Sequence, residues 1–179
     1  MESLIGNKSD FAIQVMTENN LAPPSAVWGR MCLWVNNTML GDYTEAHCGI
    51  YQCVHHLIEV VNILDQLSSA IIINKCDIEA YNYLKSAWLE PDTDEFGEPS
   101  EVESFHKYNI SYGLAEMFDK EPMFFLVNTS DGFLKILMQS KNNQDITSHT
   151  TSVKTFSNVI SELNTWYKQQ SEALQSDNA

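Results

Sequence analysis

The sequence is short of basic residues. It has 10 lysines and arginines against 24 aspartates and glutamates among its 179 residues, which gives a formal net charge of −14 at pH 7. Nucleic acids and anionic membranes repel a surface of this sign, so the charge favours neither as a partner. The partners that such a surface attracts are cations and basic proteins. Solubility alone would also account for the charge without any partner.

Long apolar runs are missing as well. No stretch approaches the roughly 20 apolar residues that span a bilayer, and the N-terminus has neither the basic start nor the apolar run of a signal peptide. We therefore expect a cytoplasmic protein. The four cysteines fit that compartment as reduced thiols, because a chain of this length does not need disulfides to build a core.

Recognised cofactor motifs are absent. The seven glycines are scattered, so no glycine-rich phosphate loop is present. Residues 92–97 resemble a calcium loop only in part, because Phe96 stands where that loop needs an acid. We predict no cofactor and no nucleic-acid or membrane partner.

One cluster of metal-capable residues invites a catalytic interpretation. It consists of His47, Cys48, Cys53, His55 and His56. No recognised zinc spacing occurs in it, and on a helix Cys53 would lie on the apolar face with His55 nearly opposite. We therefore predict no metal and interpret the cluster as a buried cysteine beside solvated histidines.

Two other functions stay open. A small enzyme could use the region of Cys48, Cys53, His55 and His56, for example to bind a metal. Cys48 or Cys53 could also act as a nucleophile with His106 or His149 as its base. A general cytoplasmic adaptor is the other alternative.

The most regular part of the sequence is residues 121–139. Two almost wholly apolar runs, 123–127 and 133–138, flank a polar turn that ends in Gly132. This pattern predicts a β-hairpin with Gly132 in the left-handed turn position. Both runs are too continuous for strands with one wet face, so we expect them at the centre of a helix-covered sheet.

Further strands follow from alternating or branched residues. The predicted strands are 11–17, 28–35, a short one at 38–40, a half-exposed one at 105–112, and an edge strand within 145–153.

Three helices follow from apolar residues recurring at three- and four-residue steps. They are 50–67, 78–89 and 153–169, while residues 70–73 are ambiguous between strand and helix end. Asp77 and Ser152 are the predicted N-caps. In the second helix, the predicted apolar stripe consists of Ile78, Tyr81, Leu84 and Trp88.

These elements predict an α+β fold, with an antiparallel or mixed sheet that contains a central C-terminal hairpin and is packed by about three helices. We expect one domain over residues 1–170. The polar residues 171–179 would form a flexible C-terminal tail.

Residues 90–103, called here the acidic segment, hold seven acids and no base. With two prolines and a glycine, the segment predicts an exposed, flexible loop. It supplies charge for steering a basic partner, and its aromatic neighbours supply area for anchoring. The predicted partner-binding residues are Trp88, Asp92, Asp94, Glu95, Phe96, Glu98, Glu101 and Glu103. The alternative is a solvated loop whose aromatic neighbours belong to the core.

The first third of the chain also resembles a known family. The residues concerned are 4–7 (LIGN), 11–13 (FAI), 28–30 (WGR), 32–36 (CLWVN) and 41–43 (GDY). They resemble the opening of immunity protein family 42, from bacterial polymorphic-toxin systems. The resemblance implies that the protein is no enzyme and that it binds a cognate toxin domain, blocking its active site or substrate entry. The missing signal peptide adds the expectation that the toxin acts in the cytoplasm, and a basic toxin would suit the acidic charge. The family carries no catalytic motif to transfer, so the contact residues rest on charge and exposure alone.

Overall fold

A computed structural model describes residues 2–18, 27–46, 48–89 and 105–176. Its strands and helices, in chain order, are β1 Glu2–Gly6, β2 Phe11–Thr17, β3 Trp28–Val35, β4 Thr38–Leu40, β5 Cys48–Gly49, α1 Ile50–Asn62, α2 Ala70–Ile73, α3 Asp77–Leu89, β6 Phe124–Asn128, β7 Phe133–Gln139, β8 Ile146–Ser152 and α4 Val153–Ser176. The strands pair antiparallel in the hairpins that define the sheets. The predicted α+β class is confirmed.

The chain divides into two compact units. The first comprises Met1–Asn62, Gly113–Glu121 and Thr151–Ala179, and the second comprises Ile63–Tyr112 and Pro122–Thr150. Each unit has its own sheet and its own buried side chains.

The first unit is built on a sheet in the order β1-β2-β3-β4, with β5 paired to β3. The predicted strands at 11–17, 28–35 and 38–40 are confirmed, whereas β1 was not foreseen. The turn between β3 and β4 has two left-handed residues, Asn36 at φ 47° and Asn37 at φ 62°. Asparagine tolerates this conformation better than other non-glycine residues, and two such residues in succession match the twist of a tight hairpin.

Helices α1 and α4 pack in the first unit. The ring of Phe156 on α4 lies 4.7 Å from that of Phe11 on β2, between ring centroids, and both side chains are buried. Ser152 caps α4 as predicted, because its Oγ accepts a hydrogen bond from the Thr155 amide at 2.9 Å. The helix continues to Ser176, past the predicted end at residue 169. Helix α1 ends at Asn62, before the predicted end at residue 67, and a short 3-10 turn follows at Leu64–Gln66.

The second unit contains the predicted hairpin, now seen as β6 and β7, in a sheet of order β6-β7-β8. Gly132 has φ +90°, as the turn requires, and all five residues of β6 are buried. The edge strand predicted within 145–153 is β8.

The hairpin does not join the N-terminal strands in one sheet, which corrects the sequence-based arrangement. The free edge of β6 is occupied by irregular chain instead. The Leu126 amide donates to the Tyr108 carbonyl at 2.9 Å, and the Asn128 amide donates to the Leu67 carbonyl at 2.8 Å. These bonds satisfy the strand's backbone without another strand.

The prediction of a strand at 105–112 is wrong. The segment forms successive turns, in which the Tyr108 amide donates to Phe105 and the Asn109 amide donates to His106, each at 3.1 Å. The Asn109 side chain then accepts hydrogen bonds from the Ser111 amide and hydroxyl. Such local bonds from asparagine and serine compete with strand pairing, so only an isolated bridge from Asn109 to Phe125 forms.

Helix α3 occupies the predicted span, but two of its details differ. Asp77 does not act as the cap; its carboxylate accepts hydrogen bonds from Lys135 at 2.8 Å and from the Ser148 hydroxyl. Ile78, predicted in the apolar stripe, is exposed, because the buried face runs through small residues as well as large ones. That face consists of Ala80, Tyr81, Leu84 and Ala87. The ambiguous stretch at 70–73 is helical.

Candidate functional site

The predicted partner-binding residues fall in two groups. Trp88 lies on the last turn of α3 and is half-buried. The other seven, Asp92, Asp94, Glu95, Phe96, Glu98, Glu101 and Glu103, lie outside the described residues.

Trp88 belongs to a cluster of rings in the second unit. Its ring centroid lies 4.6 Å from that of His106 and 4.6 Å from that of Tyr112, at interplanar angles of 50° and 58°. Tyr112 is 75% exposed, and Leu89, the next residue after Trp88, is 57% exposed. We call Trp88, Leu89, His106 and Tyr112 the aromatic patch. It combines a supported indole with two exposed apolar side chains, which is the composition of a binding anchor.

The acidic segment is joined directly to this patch. Its first residue follows Leu89 in the sequence. After the segment, the described residues begin again at Phe105, which directly precedes His106. Phe105 is buried, with its ring 5.4 Å from that of Tyr83 and 6.2 Å from that of Tyr108. Trp88, two residues before the acidic segment, and Phe105, two residues after it, therefore both pack against other rings.

Nearby lysines lie over aromatic rings. Lys75 Nζ lies 5.0 Å from the ring centroid of Tyr83, and Lys107 Nζ lies 5.7 Å from that of Tyr108. Both distances are within the range of cation–π attraction. The acidic segment itself holds seven acids and no base.

His106 has a further property. Its Nε2 is buried and has no hydrogen-bond partner among the residues that the structure describes. The ring packs against Trp88 at one edge of the patch.

The cysteines near α1 do not have the environment of a nucleophile. Cys48 and Cys53 are fully buried. A hydrogen bond with Cys53, followed by burial, raises the pKa of the Cys48 thiol far above its ordinary value. Cys53 Sγ accepts a hydrogen bond from the Ala115 amide at 3.3 Å. A reactive cysteine needs a lowered pKa and access to solvent, and Cys48 has neither.

The histidines of the same region pack against other side chains and backbone. The His55 ring lies 5.9 Å from the Tyr167 ring in an edge-on arrangement. The His56 ring lies against Gly113, where an added Cβ would approach the ring Nδ1 to 2.1 Å. No three His, Cys, Asp or Glu side chains within the described ranges are grouped so as to hold a metal ion; His47 falls outside those ranges.

Comparison with known families identifies the chain. The profile of the immunity protein 42 family matches residues 1–166. The chain belongs to this family. It is an immunity protein, and its function is protection against a toxin.

A solved structure shows the same fold. The crystal structure of CdiI from Burkholderia dolosa superposes with a TM-score of 0.68, covering 91% of the immunity protein and 99% of the CdiI chain. Their sequences are 17% identical, so the likeness extends to the fold. No curated protein matches the sequence.

Within its described residues, the immunity protein has no helix long and apolar enough to cross a bilayer.

Sequence reasoning placed Trp88 in the candidate site but missed Tyr112, which was assigned to a strand, and His106, which was considered only as a base. The signal that could have found them is the pair of aromatic clusters on either side of the acidic segment, Trp88 before it and residues 105–112 after it.

Proposed function

We propose that the immunity protein neutralises its cognate toxin by forming a stoichiometric complex, with the acidic segment and the aromatic patch as the contact surface. The bound segment occludes the toxin's active site or its substrate entry. The protein acts by binding and not by catalysis.

The proposal rests on one observation: the acidic segment adjoins the aromatic patch in the sequence. Half of the net charge of −14 lies in residues 90–103, and the aromatic patch stands at the segment's attachment points. Long-range charge accelerates encounter with an oppositely charged partner, and exposed aromatic side chains supply binding energy once it is in contact. The partner that fits is a basic toxin domain.

Two further features belong to the proposal. The toxin and the immunity protein meet in the cytoplasm, because all four cysteines, each within the described residues, are free, as is typical of a reducing compartment. The functional domain spans residues 1–170, which contains the family match at 1–166.

The test begins with capture. Tagged immunity protein is incubated with lysate of the source bacterium at low and high salt, and a protein retained one-to-one is identified by mass spectrometry. That protein is then expressed in a susceptible host with and without the immunity protein. We expect the captured domain to stop growth alone and to be harmless when co-expressed.

Two charge-matched variants assign the protection to a surface. The segment variant carries D92N, D94N, E95Q and E98Q. The control variant removes the same charge from exposed acids elsewhere, through E59Q, D65N, E162Q and E172Q. We expect the segment variant to lose protection and the control variant to keep it. Equal protection by both would contradict the proposed contact surface, and a captured domain that does not affect growth would contradict neutralisation itself.

A further inference from the structure

Most tyrosine rings of the second unit lie beside a lysine of the same unit. The unit has four tyrosines, and three of them, Tyr81, Tyr83 and Tyr108, each have a lysine Nζ at 5.0 to 6.0 Å from the ring centroid. At these distances the face of an aromatic ring attracts a positive charge. The tyrosines of this unit therefore act as binding surfaces for cations.

Tyr112, the fourth tyrosine, has no such lysine. The described ranges include all ten lysines and arginines of the chain, and within those ranges none of the ten lies over the Tyr112 ring. The Tyr112 side chain is 75% exposed. Its ring is therefore accessible to a cation from another molecule.

The Tyr112 ring is also supported by its neighbours. It packs against the Trp88 ring at 4.6 Å between centroids, with 58° between the ring planes. Trp88 in turn packs against His106. A side chain that is already held in place loses little entropy when a partner binds, so the support prepares this ring for a contact.

The sign of the charge around the ring selects the kind of side chain that it binds. The electron-rich face of an aromatic ring attracts cations, and it offers no such attraction to a carboxylate. The acidic segment lies between Trp88 and Tyr112 in the sequence, and the whole chain carries −14. The ring and the net charge therefore favour the same partner group, a lysine or an arginine.

We propose that the face of the Tyr112 ring binds the positively charged side chain of a lysine or arginine of the toxin. This inference rests on the proposed function, because it requires the toxin to contact the aromatic patch. It adds the chemistry of that contact: the ring contributes through its electrons and not only through its apolar area.

Two substitutions separate the ring from its apolar area. Tyr112→Phe keeps an aromatic ring, whereas Tyr112→Leu keeps an apolar side chain without one. In calorimetry with the captured toxin domain, Y112F should bind within about threefold of wild type and Y112L about tenfold more weakly, as expected for a cation–π contact that loses its water on binding. Because Tyr112 is exposed, thermal unfolding should show that both variants retain the fold.

Fluorinated phenylalanines at position 112 test the electrons directly. Each fluorine draws electron density from the ring face and changes the shape of the ring little, so the attraction for a cation falls in steps. From phenylalanine to its trifluoro form, the affinity for the toxin domain should fall progressively by about tenfold. The same series at Phe133, another exposed aromatic residue of the second unit, is the matched control and should show no trend.

Substitutions in the toxin identify the cation. Surface lysines and arginines of the captured domain are changed to glutamine one at a time. One such change should weaken binding to the wild-type immunity protein by about tenfold. The same change should have little further effect on binding to Y112L, because two residues in contact are not additive.

Two results would overturn the inference, and they differ in what they imply for the proposed function. Wild-type affinity in Y112L would contradict both the cation contact and the aromatic patch as the contact surface. Weaker binding by Y112L, together with a flat fluorine series or with no coupled lysine or arginine in the toxin, would contradict the cation contact alone. The patch would then bind the toxin through its apolar area.

Discussion

The indole ring of Trp88 and the phenol ring of Tyr112 lie 4.6 Å apart, although 23 residues, including the whole acidic segment, separate them in the sequence. The chain therefore returns to the end of α3 after the segment. As a result, the most negative part of the sequence is bounded by an exposed aromatic side chain on one side and a supported indole on the other.

Because of this contact, Tyr112 is the first residue to substitute in a test of the aromatic patch. Tyr112→Ala should weaken toxin binding by about 30-fold, equivalent to about 2 kcal/mol, the loss typical of an aromatic hot spot. The melting temperature should be unchanged, since Tyr112 is exposed. Isothermal titration calorimetry with the captured toxin domain measures the affinity, and thermal unfolding measures the melting temperature.

Phe133→Ala is the matched control for that experiment, since Phe133 is another exposed aromatic residue of the second unit. Its affinity should stay within about twofold of wild type, as expected for a residue outside the contact surface. Equal losses for the two variants would argue against the aromatic patch as the anchor.

The ion pair between Asp77 and Lys135 predicts a pH dependence of stability. Hydrogen bonds from Lys135 and then Ser148 hold the pKa of Asp77 below its ordinary value of 3.8. A carboxyl group whose pKa is lower in the folded state stabilises that state above its unfolded pKa, and the contribution is lost as pH falls through the folded pKa. The two side chains are about a third exposed, so solvent screening limits the effect.

We therefore expect D77N to lower the free energy of unfolding at pH 7 by up to about 1 kcal/mol. The deficit relative to wild type should shrink as pH falls below about 4. Urea denaturation at pH 7, 4 and 3 measures the free energy of unfolding of D77N and of wild type. The control is D119N, which changes an exposed aspartate. A deficit that stays constant from pH 7 to pH 3 would show that Asp77 does not stabilise the fold through its charge.

The environments of the cysteines predict selective thiol chemistry. Cys32, Cys48 and Cys53 are buried, and Cys76 is exposed. Burial also raises the pKa of Cys32 to about 11. Since the thiolate is the reactive form, a disulfide reagent at pH 7.5 should modify one thiol per folded chain and four after denaturation.

Cys76→Ser should abolish the fast reaction and leave the melting temperature nearly unchanged. Rapid modification of Cys48 or Cys53 in the folded chain would contradict their placement and would revive the cysteine-dependent enzyme as an alternative function.

Sequence patterns correctly predicted the elements that are specified by residues close together in the chain. The hairpin at 124–139 follows from two apolar runs and a glycine turn, and α4 follows from its cap and apolar face. The prediction of a strand at 105–112 was wrong. It rested on the alternation of Tyr108, Ile110 and Tyr112 with polar residues, and this pattern does not reveal the hydrogen bonds that the Asn109 side chain accepts from Ser111 within a turn. Strand β1 was missed because its partner in β2, not its own short sequence, makes it a strand.

The candidate site shows the same division. Trp88 could be selected because it adjoins the acidic segment in the sequence. The aromatic residues on the other side of the segment mark Tyr112 as a candidate, but its contact with Trp88 depends on how the chain returns after the segment, which no local pattern predicts. In α3, two alanines take buried positions, whereas a pattern based on large side chains selected the exposed Ile78.

The affinity of the toxin domain for the segment variant, measured by isothermal titration calorimetry at low and at high salt, tests the central claim most directly. Removing four of the seven acids from residues 90–103 should weaken binding at about 50 mM salt by about 100-fold and flatten its salt dependence, as expected when charge supplies the attraction. The charge-matched control variant should bind within about threefold of wild type, because its exposed acids lie outside the contact surface. An affinity that the segment variant retains at low salt would contradict the claim that this immunity protein recognises its toxin through the acidic segment.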